Sequence, residues 1–547
     1  MSPATIADAF HQAVQSHQSG RLPEAERLYR QILSSQPTHA GAMHLLGLIA
    51  GQMGHHAAGI DLIRQSLLLA PTNPDAWYNL GGVLRECGRH AEAIQAYQQA
   101  IALCPTYAAA YNNLGNVLED AGQLDEAIAT WQRAIAAAPS NAQAYNNLAL
   151  GLRAKGDLDG AIAAWRQTIA LEPACPEALN NLGAALTDRG ELQEGISLLQ
   201  RALAVRPAYA NALSNLGIAL GDMGKLDEAA ECYRRAIAVD PDFAEAHLNL
   251  ALDLLRRGQW REGWQQREWR WKVPGLESGR TFRQPRWNGE DLAGRTILLH
   301  HEQGLGDTLQ FIRFVPLLAR RGAKVILEVQ AEVAKLAATV SGVTTVLQPR
   351  QPSPPFDFYC PLMSIPMGLG TTVDTVPANV PYLHADPQLT ARWQNKIGGG
   401  PHRKIGLVWA GNPNHKNDRN RSIPFSLFLP LLDLKGIDFY SLQKGLAAGQ
   451  AVGYRIIDWT AELTDFSQSA ALIAQLDLIV CVDTAVAHLA GALGKPVWLL
   501  VPFVPDWRWL MEKETSDWYP TMRLFRQERM GKWESAIERV RAALTEH

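Results

Sequence analysis

Apolar residues change their rhythm near residue 295. Before that point they recur at helical spacing and are broken at fixed intervals by Gly20, Gly54, Gly88, Gly122, Gly156, Gly190, Gly224 and Gly258, each 34 residues after the last. Pro37, Pro71, Pro105, Pro139, Pro173, Pro207 and Pro241 keep the same step. The stretch YNNLGNVLEDAGQLDEAIATWQRAIAAAP, residues 111–139, shows one period. It predicts a first helix ended by glycine in the left-handed conformation, then a second with Ala127 and Ala134 at close-packing positions, ended before proline. After residue 295 short apolar runs alternate with helical patterns. RTILLHH, KVILEV, VTTVL, RKIGLVWAG, DFYSLQKG, DLIVCVD and PVWLLVP read as strands, with TLQFIRFVPLLARRG, AEVAKLAATV and TAVAHLAGALG as helices between them. Such alternation predicts parallel sheets with helices on both faces.

A strict 34-residue period is the signature of a tetratricopeptide array. Eight units fit within residues 6–277. No single helix pair buries its apolar face, so stacked pairs share a core and leave a concave groove. One asparagine recurs there: Asn79, Asn113, Asn147, Asn181, Asn215 and Asn249. An amide offers a donor and an acceptor, so the row can pair with an extended peptide or close contacts between repeats. It resembles the asparagine ladder in the repeat domain of O-GlcNAc transferases, which holds peptide substrates. The array ends in WREGWQQREWRWKVPG, where Trp264, Trp269 and Trp271 read as a docking surface for the next domain. Residues 278–294 are the expected linker, 295–398 a first Rossmann-like half and 401–547 a second, parted at GGGP.

Bulk properties narrow the partners. A formal net charge of −3 provides no field for nucleic acid or anionic membrane. No apolar run is long enough to span a bilayer. The start, MSPATIADAFHQAVQ, lacks the pattern of a signal peptide. Cysteine spacing suits neither a disulfide framework nor a zinc site, so a reduced, cytoplasmic setting is expected.

In parallel sheets ligands sit beyond the carboxyl ends of the strands. Three loops there carry unusual chemistry: HHEQGLGD, WAGNPNHKNDRNRSIP and CVDTAVAHLAG. In the last, the first-turn amides of Thr484, Ala485 and Val486 suit an anion, with Asp483 a candidate N-cap and His488 one turn in. Lys416, Arg419 and Arg421 add positive charge, or form a solvated cluster. A nucleoside diphosphate fits this set. GALGKP is no Walker A loop, and GLGDTL lacks the third glycine of a dinucleotide loop. No D-x-D follows residue 280, so no metal bound by that motif is expected, and no cofactor. Asp307 follows Gly304 and Gly306, which let the backbone approach a substrate. It reads as a catalytic carboxylate, an N-cap for a helix from Thr308, or both.

GLGD after the first strand and DTAVAHLAGALGKPVWLL later resemble the heptosyltransferase-type glycosyltransferases of two-Rossmann (GT-B) architecture, over roughly residues 290–545. The whole chain is similar to bacterial proteins joining a tetratricopeptide array to such a domain, some of them flagellin glycosyltransferases whose repeats recruit flagellin. The resemblance implies Asp307 as general base. It implies donor binding by Asp483, Thr484 and His488, by Arg421 and Lys416, and by Gln443 or Lys444 near the nucleoside or sugar.

The expected fold is therefore an α solenoid followed by two facing Rossmann-like halves. The expected function is inverting, metal-independent transfer of a sugar from a nucleotide-sugar to a hydroxyl of a protein held by the repeats. The rivals are an inactive interaction scaffold and a transferase acting on a lipid or polysaccharide.

Overall fold

The computed structural model describes residues 3–276, 280–415 and 417–546. It divides into two compact units, Met1–Asn215 and Leu216–His547.

The first unit is a run of helices, two per period, from Pro3–Gln18 to Leu192–Val205. The periodic glycines all have φ between +72° and +92°, the conformation that lets each first helix stop and the chain reverse. Inside a repeat, a glycine in the first helix faces a large side chain sixteen residues later. A Cβ on Gly115 would stand 2.3 Å from Trp131 Nε1, and one on Gly81 would stand 2.8 Å from the Tyr97 ring. Trp131 and Trp165 are fully buried in the resulting core. Close packing of this kind leaves no room for even one added carbon.

The asparagine row ties one repeat to the one before. Asn113 Nδ2 donates to Tyr78 Oη at 2.8 Å, and Asn147 Nδ2 to Asn112 Oδ1 at 3.0 Å and Asn116 Oδ1 at 2.9 Å. Asn215 Nδ2 donates to Asn180 Oδ1 at 2.9 Å, while Asn180 Nδ2 donates to Asn181 Oδ1 at 3.1 Å. Asn79 Nδ2 lies 2.8 Å from His44 Nε2. At these five positions the amide is engaged within the array; Asn249, in the second unit, is half-buried.

The second unit opens with the helices Leu226–Val239, Ala244–Arg256 and Trp260–Arg267 and continues into two parallel sheets. The first contains β1 (Thr296–His300), β2 (Lys324–Glu328), β3 (Val343–Leu347) and β4 (Phe358–Pro361), in the order β3-β2-β1-β4. The second contains β5 (Arg403–Val408), β6 (Ile437–Ser441), β7 (Ile457–Asp458), β8 (Leu478–Val482), β9 (Val497–Val501) and β10 (Met522–Arg526), in the order β10-β9-β8-β5-β6-β7. Strand order reverses between β1 and β4 and between β5 and β8. Those are the switch points where α/β sheets open a crevice.

The pattern-based reading missed β4 and β7, which are short, and β10, where Arg523 and Arg526 interrupt the apolar run. The expected helix from Thr308 starts earlier, as Leu305–Phe311, then breaks through a 3₁₀ turn, Ile312–Phe314, into Val315–Arg320. Pro316 at the start of the last piece has no amide to continue the ladder. The helix Pro387–Ile397, ahead of the glycine run, packs on Phe466–Ala474 of the second sheet, with Trp393 Nε1 donating to Gln468 Oε1 at 3.1 Å.

Of the three tryptophans expected to dock, Trp264 is buried in the α/β core, edge-on to Trp507 at 5.2 Å, its Nε1 donating to Thr371 O at 3.0 Å. Trp260 joins it, stacked on Trp518 at 5.3 Å. Trp269 turns back onto the repeat, its ring 3.8 Å from that of His247 and parallel to it. Trp271 lies under the Arg270 guanidinium at 4.3 Å.

Candidate active site

A cavity of about 790 Å³ opens beyond the carboxyl ends of β5, β6 and β8, at the switch point of the second sheet. Its wall is built by four segments of the second half, those that follow β5, β6, β7 and β8, and Leu305 and Glu332 of the first half complete it. The loop after β8 supplies Thr484, Ala485 and Val486. Thr484, not Asp483, is the N-cap of the helix Ala485–Ala492, with extended backbone at φ −145° and ψ 170°. Its hydroxyl is buried and has no hydrogen-bond partner among the described residues. Helix geometry leaves the first amides without an intrahelical acceptor, so this end is electropositive toward the cavity.

Arg421 lines the same cavity from the short helix Asp418–Arg421. Its Nη1 donates to Asp483 O at 3.1 Å and its Nε to Asp418 Oδ1 at 3.2 Å. That guanidinium is thereby fixed beside the Thr484 cap. Lys416 lies outside the described residues. Gln443 is buried in the wall and bridges two strand ends. Its Oε1 accepts from Trp409 N at 3.0 Å and Ala410 N at 2.8 Å, and its Nε2 donates to Ala410 O at 3.1 Å and Lys444 O at 2.9 Å. Gln443 thus shapes the wall. Lys444 lines the cavity with Nζ donating to Leu463 O at 2.5 Å.

Asp483 and His488 stand behind this wall. His488 is buried, its Nδ1 2.9 Å from Tyr519 Oη, its Nε2 4.0 Å from Asp483 Oδ1 and its ring stacked on Trp509. Burial, then the charges of Arg508 and Arg313, drive its pKa well below the usual imidazole value, so the ring is neutral. Burial, reinforced by the neighbouring Asp506, raises the Asp483 carboxyl.

Asp307 sits at the third position of the Leu305–Phe311 helix, not at its cap. The cap is Gly304, whose N–H donates to Asp307 Oδ2 at 2.9 Å. The other carboxylate oxygen accepts from Arg508 Nη2. Gly304 and Gly306 do not face open space. A Cβ on Gly304 would meet Asp307 Oδ2 at 3.2 Å, and one on Gly306 would meet His488 Cδ2 at 3.1 Å and Ala485 Cα at 3.4 Å. Gly306 therefore lets the Leu305 helix and the Ala485 helix lie against each other.

The structure thus brings Thr484, Ala485, Arg421, Gln443 and Lys444 around one cavity. Asp307 is two residues along its helix from the lining residue Leu305, and Asp483 and His488 support the wall. Two features escaped the sequence reading. One is the DWRW turn after β9. Asp506 Oδ1 accepts from Arg508 N at 3.1 Å and Nη1 at 2.9 Å, and Arg508 Nε donates to Gln310 Oε1. The other is Glu302 of HHEQGLGD, paired with Arg270. For Arg508 the signal was a charged residue between two tryptophans; Glu302 lies among polar loop residues and gave no such signal.

Residues 460–500, which contain β8 and the Ala485 helix, match the family model described as Glycosyltransferase family 9 (heptosyltransferase). Tetratricopeptide models match at 62–95, 81–122, 112–165, 152–187 and 175–242. Protein FlbA of Caulobacter vibrioides is 30% identical over 329 residues, 53% of this chain and 53% of that protein. The chain thus spans about half the length of the curated relative it matches. Among solved structures, MamA is 28% identical over 29% of this chain and 94% of its own, with a TM-score of 0.28. YrrB, described as a TPR protein with an unusual peptide-binding site, is 22% identical over 34% of this chain and 95% of its own, with a TM-score of 0.31. The family-model matches support a glycosyltransferase region and a tetratricopeptide region. No helix among the described residues is long and apolar enough to cross a membrane.

Proposed function

We propose that this chain is a cytoplasmic glycosyltransferase that moves a sugar from a nucleotide-sugar to a hydroxyl of a protein recruited by its repeats. One observation carries the reading. The N-terminus of the Ala485 helix and the guanidinium of Arg421 converge on a cavity at the switch point of the second sheet. An anionic diphosphate is the ligand such an arrangement favours.

In the proposed reaction Asp307 accepts the proton of the acceptor hydroxyl. The hydroxyl oxygen forms a bond to the anomeric carbon as that carbon's bond to the phosphate oxygen breaks. The electron pair leaves with the nucleotide. The helix amides and Arg421 offset the charge that develops there, without a metal. Attack opposite the leaving group inverts the anomeric centre.

A thermal-shift screen of UDP, ADP, GDP and CMP and of their sugars tests the reading. At saturating ligand one of them should raise the melting temperature by a few degrees, the linkage of ~2.7 kcal/mol expected at a hundredfold excess over Kd. Arg421→Ala should abolish that shift. Stabilisation by none of them would favour a protein-interaction scaffold.

A further inference from the structure

The DWRW turn after β9 places one arginine against two points of the Leu305 helix. Arg508 Nη2 donates to Asp307 and its Nε to Gln310, three residues on and therefore on the same helix face. Asp506 holds the third corner of the guanidinium through Nη1 at 2.9 Å. The planar fork lies 4.5 Å over the Trp507 ring, and Trp507 and Trp509 on either side are buried. Arg508 has 8% of its side chain exposed, so rotation is denied to it. The next residue but one, Leu510, has φ +47°, an uncommon conformation for a side chain branched at Cγ and one that costs stability. Burying a guanidinium with carboxylates is seldom the most stable choice, since well-packed apolar side chains do as well or better. Buried charge and backbone strain in one turn, with the charge reaching Asp307, mark a site kept for what it positions.

We propose that Arg508 is the positioning residue for Asp307, fixing the orientation of its carboxylate from the opposite half of the α/β module. The proposal rests on the transferase reading above. With Gly304 N on one carboxylate oxygen and Arg508 on the other, the carboxylate plane cannot swing. Each oxygen keeps one lone pair in a fixed direction, and one of these is left for an acceptor hydroxyl. Lysine has a point charge where arginine has a fork, and it cannot hold Asp307, Gln310 and Asp506 together.

The test is steady-state nucleotide release from a panel of UDP-, ADP-, GDP- and CMP-sugars by the full chain. The variants are Arg508→Gln, Arg508→Lys, Asp307→Ala and the double Arg508→Gln/Asp307→Ala. A misplaced catalytic group should lower kcat by about 100-fold in Arg508→Gln, with the donor KM unchanged within about threefold. Arg508→Lys should recover only part of the loss. The double variant should be no slower than Asp307→Ala, because the two residues act as one unit. Losses that add in the double variant, or a KM that rises in step with the fall in kcat, would overturn the positioning role. Should Arg508→Gln not fold, Arg508→Lys, which keeps the buried charge, decides: wild-type kcat in it overturns the proposal, and a reduced kcat at unchanged KM supports it. Wild-type protein releasing no nucleotide from any donor would overturn the transferase reading, and the proposal with it.

Discussion

Arg270 and Glu302 meet as a buried, two-pronged ion pair, with Arg270 Nε donating to Glu302 Oε2 at 2.7 Å and Nη2 to Oε1 at 3.1 Å. The arginine follows the last repeat helix, and the glutamate belongs to the loop that carries Asp307. Glu302 Oε1 also accepts from Met363 N at 3.0 Å, so the loop after β1 is anchored on both sides. Removing one partner strands a buried charge. Arg270→Met should therefore cost about 3–5 kcal/mol, read as a lower urea midpoint, and Arg270→Met/Glu302→Leu should recover part of it. An Arg270→Met variant as stable as wild type would show that the pair is not a buried anchor.

The same packing decides where the chain can be cut. Trp260, Trp264 and Arg270 are buried against the α/β core. A fragment of residues 206–547 should fold with a single cooperative melt. A fragment of residues 271–547 should aggregate, since it loses two core tryptophans and leaves Glu302 unpaired. The check is circular dichroism melting with size-exclusion chromatography. Only the longer fragment is a fair test of whether the repeats recruit the acceptor.

Stability should fall on mild acidification. Burial lowers His300 to about 4, and burial with Arg508 and Arg313 lowers His488 well below its usual value. The unfolded chain protonates both near 6.5, so their contribution is full at pH 7.5 and is lost as pH falls through that value. Each therefore loses stability between pH 7.5 and 6.0, on the order of 1 kcal/mol. Burial raises Asp253 to about 6 and also raises Asp483, which opposes this to a smaller extent over the same span. The histidines outweigh the aspartates, so the net effect is a loss, and His488→Gln should flatten the dependence of the urea midpoint on pH.

Gly306→Ala should separate the Leu305 helix from the Ala485 helix. The added carbon would stand 3.1 Å from His488 Cδ2. Overpacking of this kind costs about 1–3 kcal/mol. Because Ala485 lines the cavity, nucleotide affinity should weaken alongside the melting temperature, measured by thermal shift with the nucleotide identified in the screen. Unchanged affinity would separate the helix contact from the cavity.

Local periodicity made much of this legible. The eightfold recurrence of glycine marked the repeats because left-handed backbone is needed at every turn. The strands β1, β2, β5, β8 and β9 read as apolar runs because parallel strands are covered on both faces. Thr484 and Ala485 could be placed at the cavity because a strand followed at once by a helix leaves first-turn amides at the strand's carboxyl end, and Arg421 stood out as a basic residue in a long loop beyond β5. What stayed hidden depends on distant pairing. Arg508 is 201 residues from Asp307, and no spacing rule connects them. Glu302 looked like loop chemistry until its partner 32 residues upstream was seen. His488 lay within a recognised motif, but only the fold shows that the ring is sealed behind Thr484 rather than exposed to a ligand.

The glycine-to-aromatic fit inside three of the repeats has an evolutionary corollary. Gly81 with Tyr97, Gly115 with Trp131 and Gly217 with Tyr233 close within a single period, so each lock travels with its own stretch of gene. Duplication or loss of one whole period carries key and keyhole together. A crossover that parted Trp131 from Gly115 and set it against a larger residue would meet a clash. Reach along this array is therefore gained or shed most readily in steps of one repeat, and sister lineages should differ in length by multiples of 34 residues, the spacing of the periodic glycines.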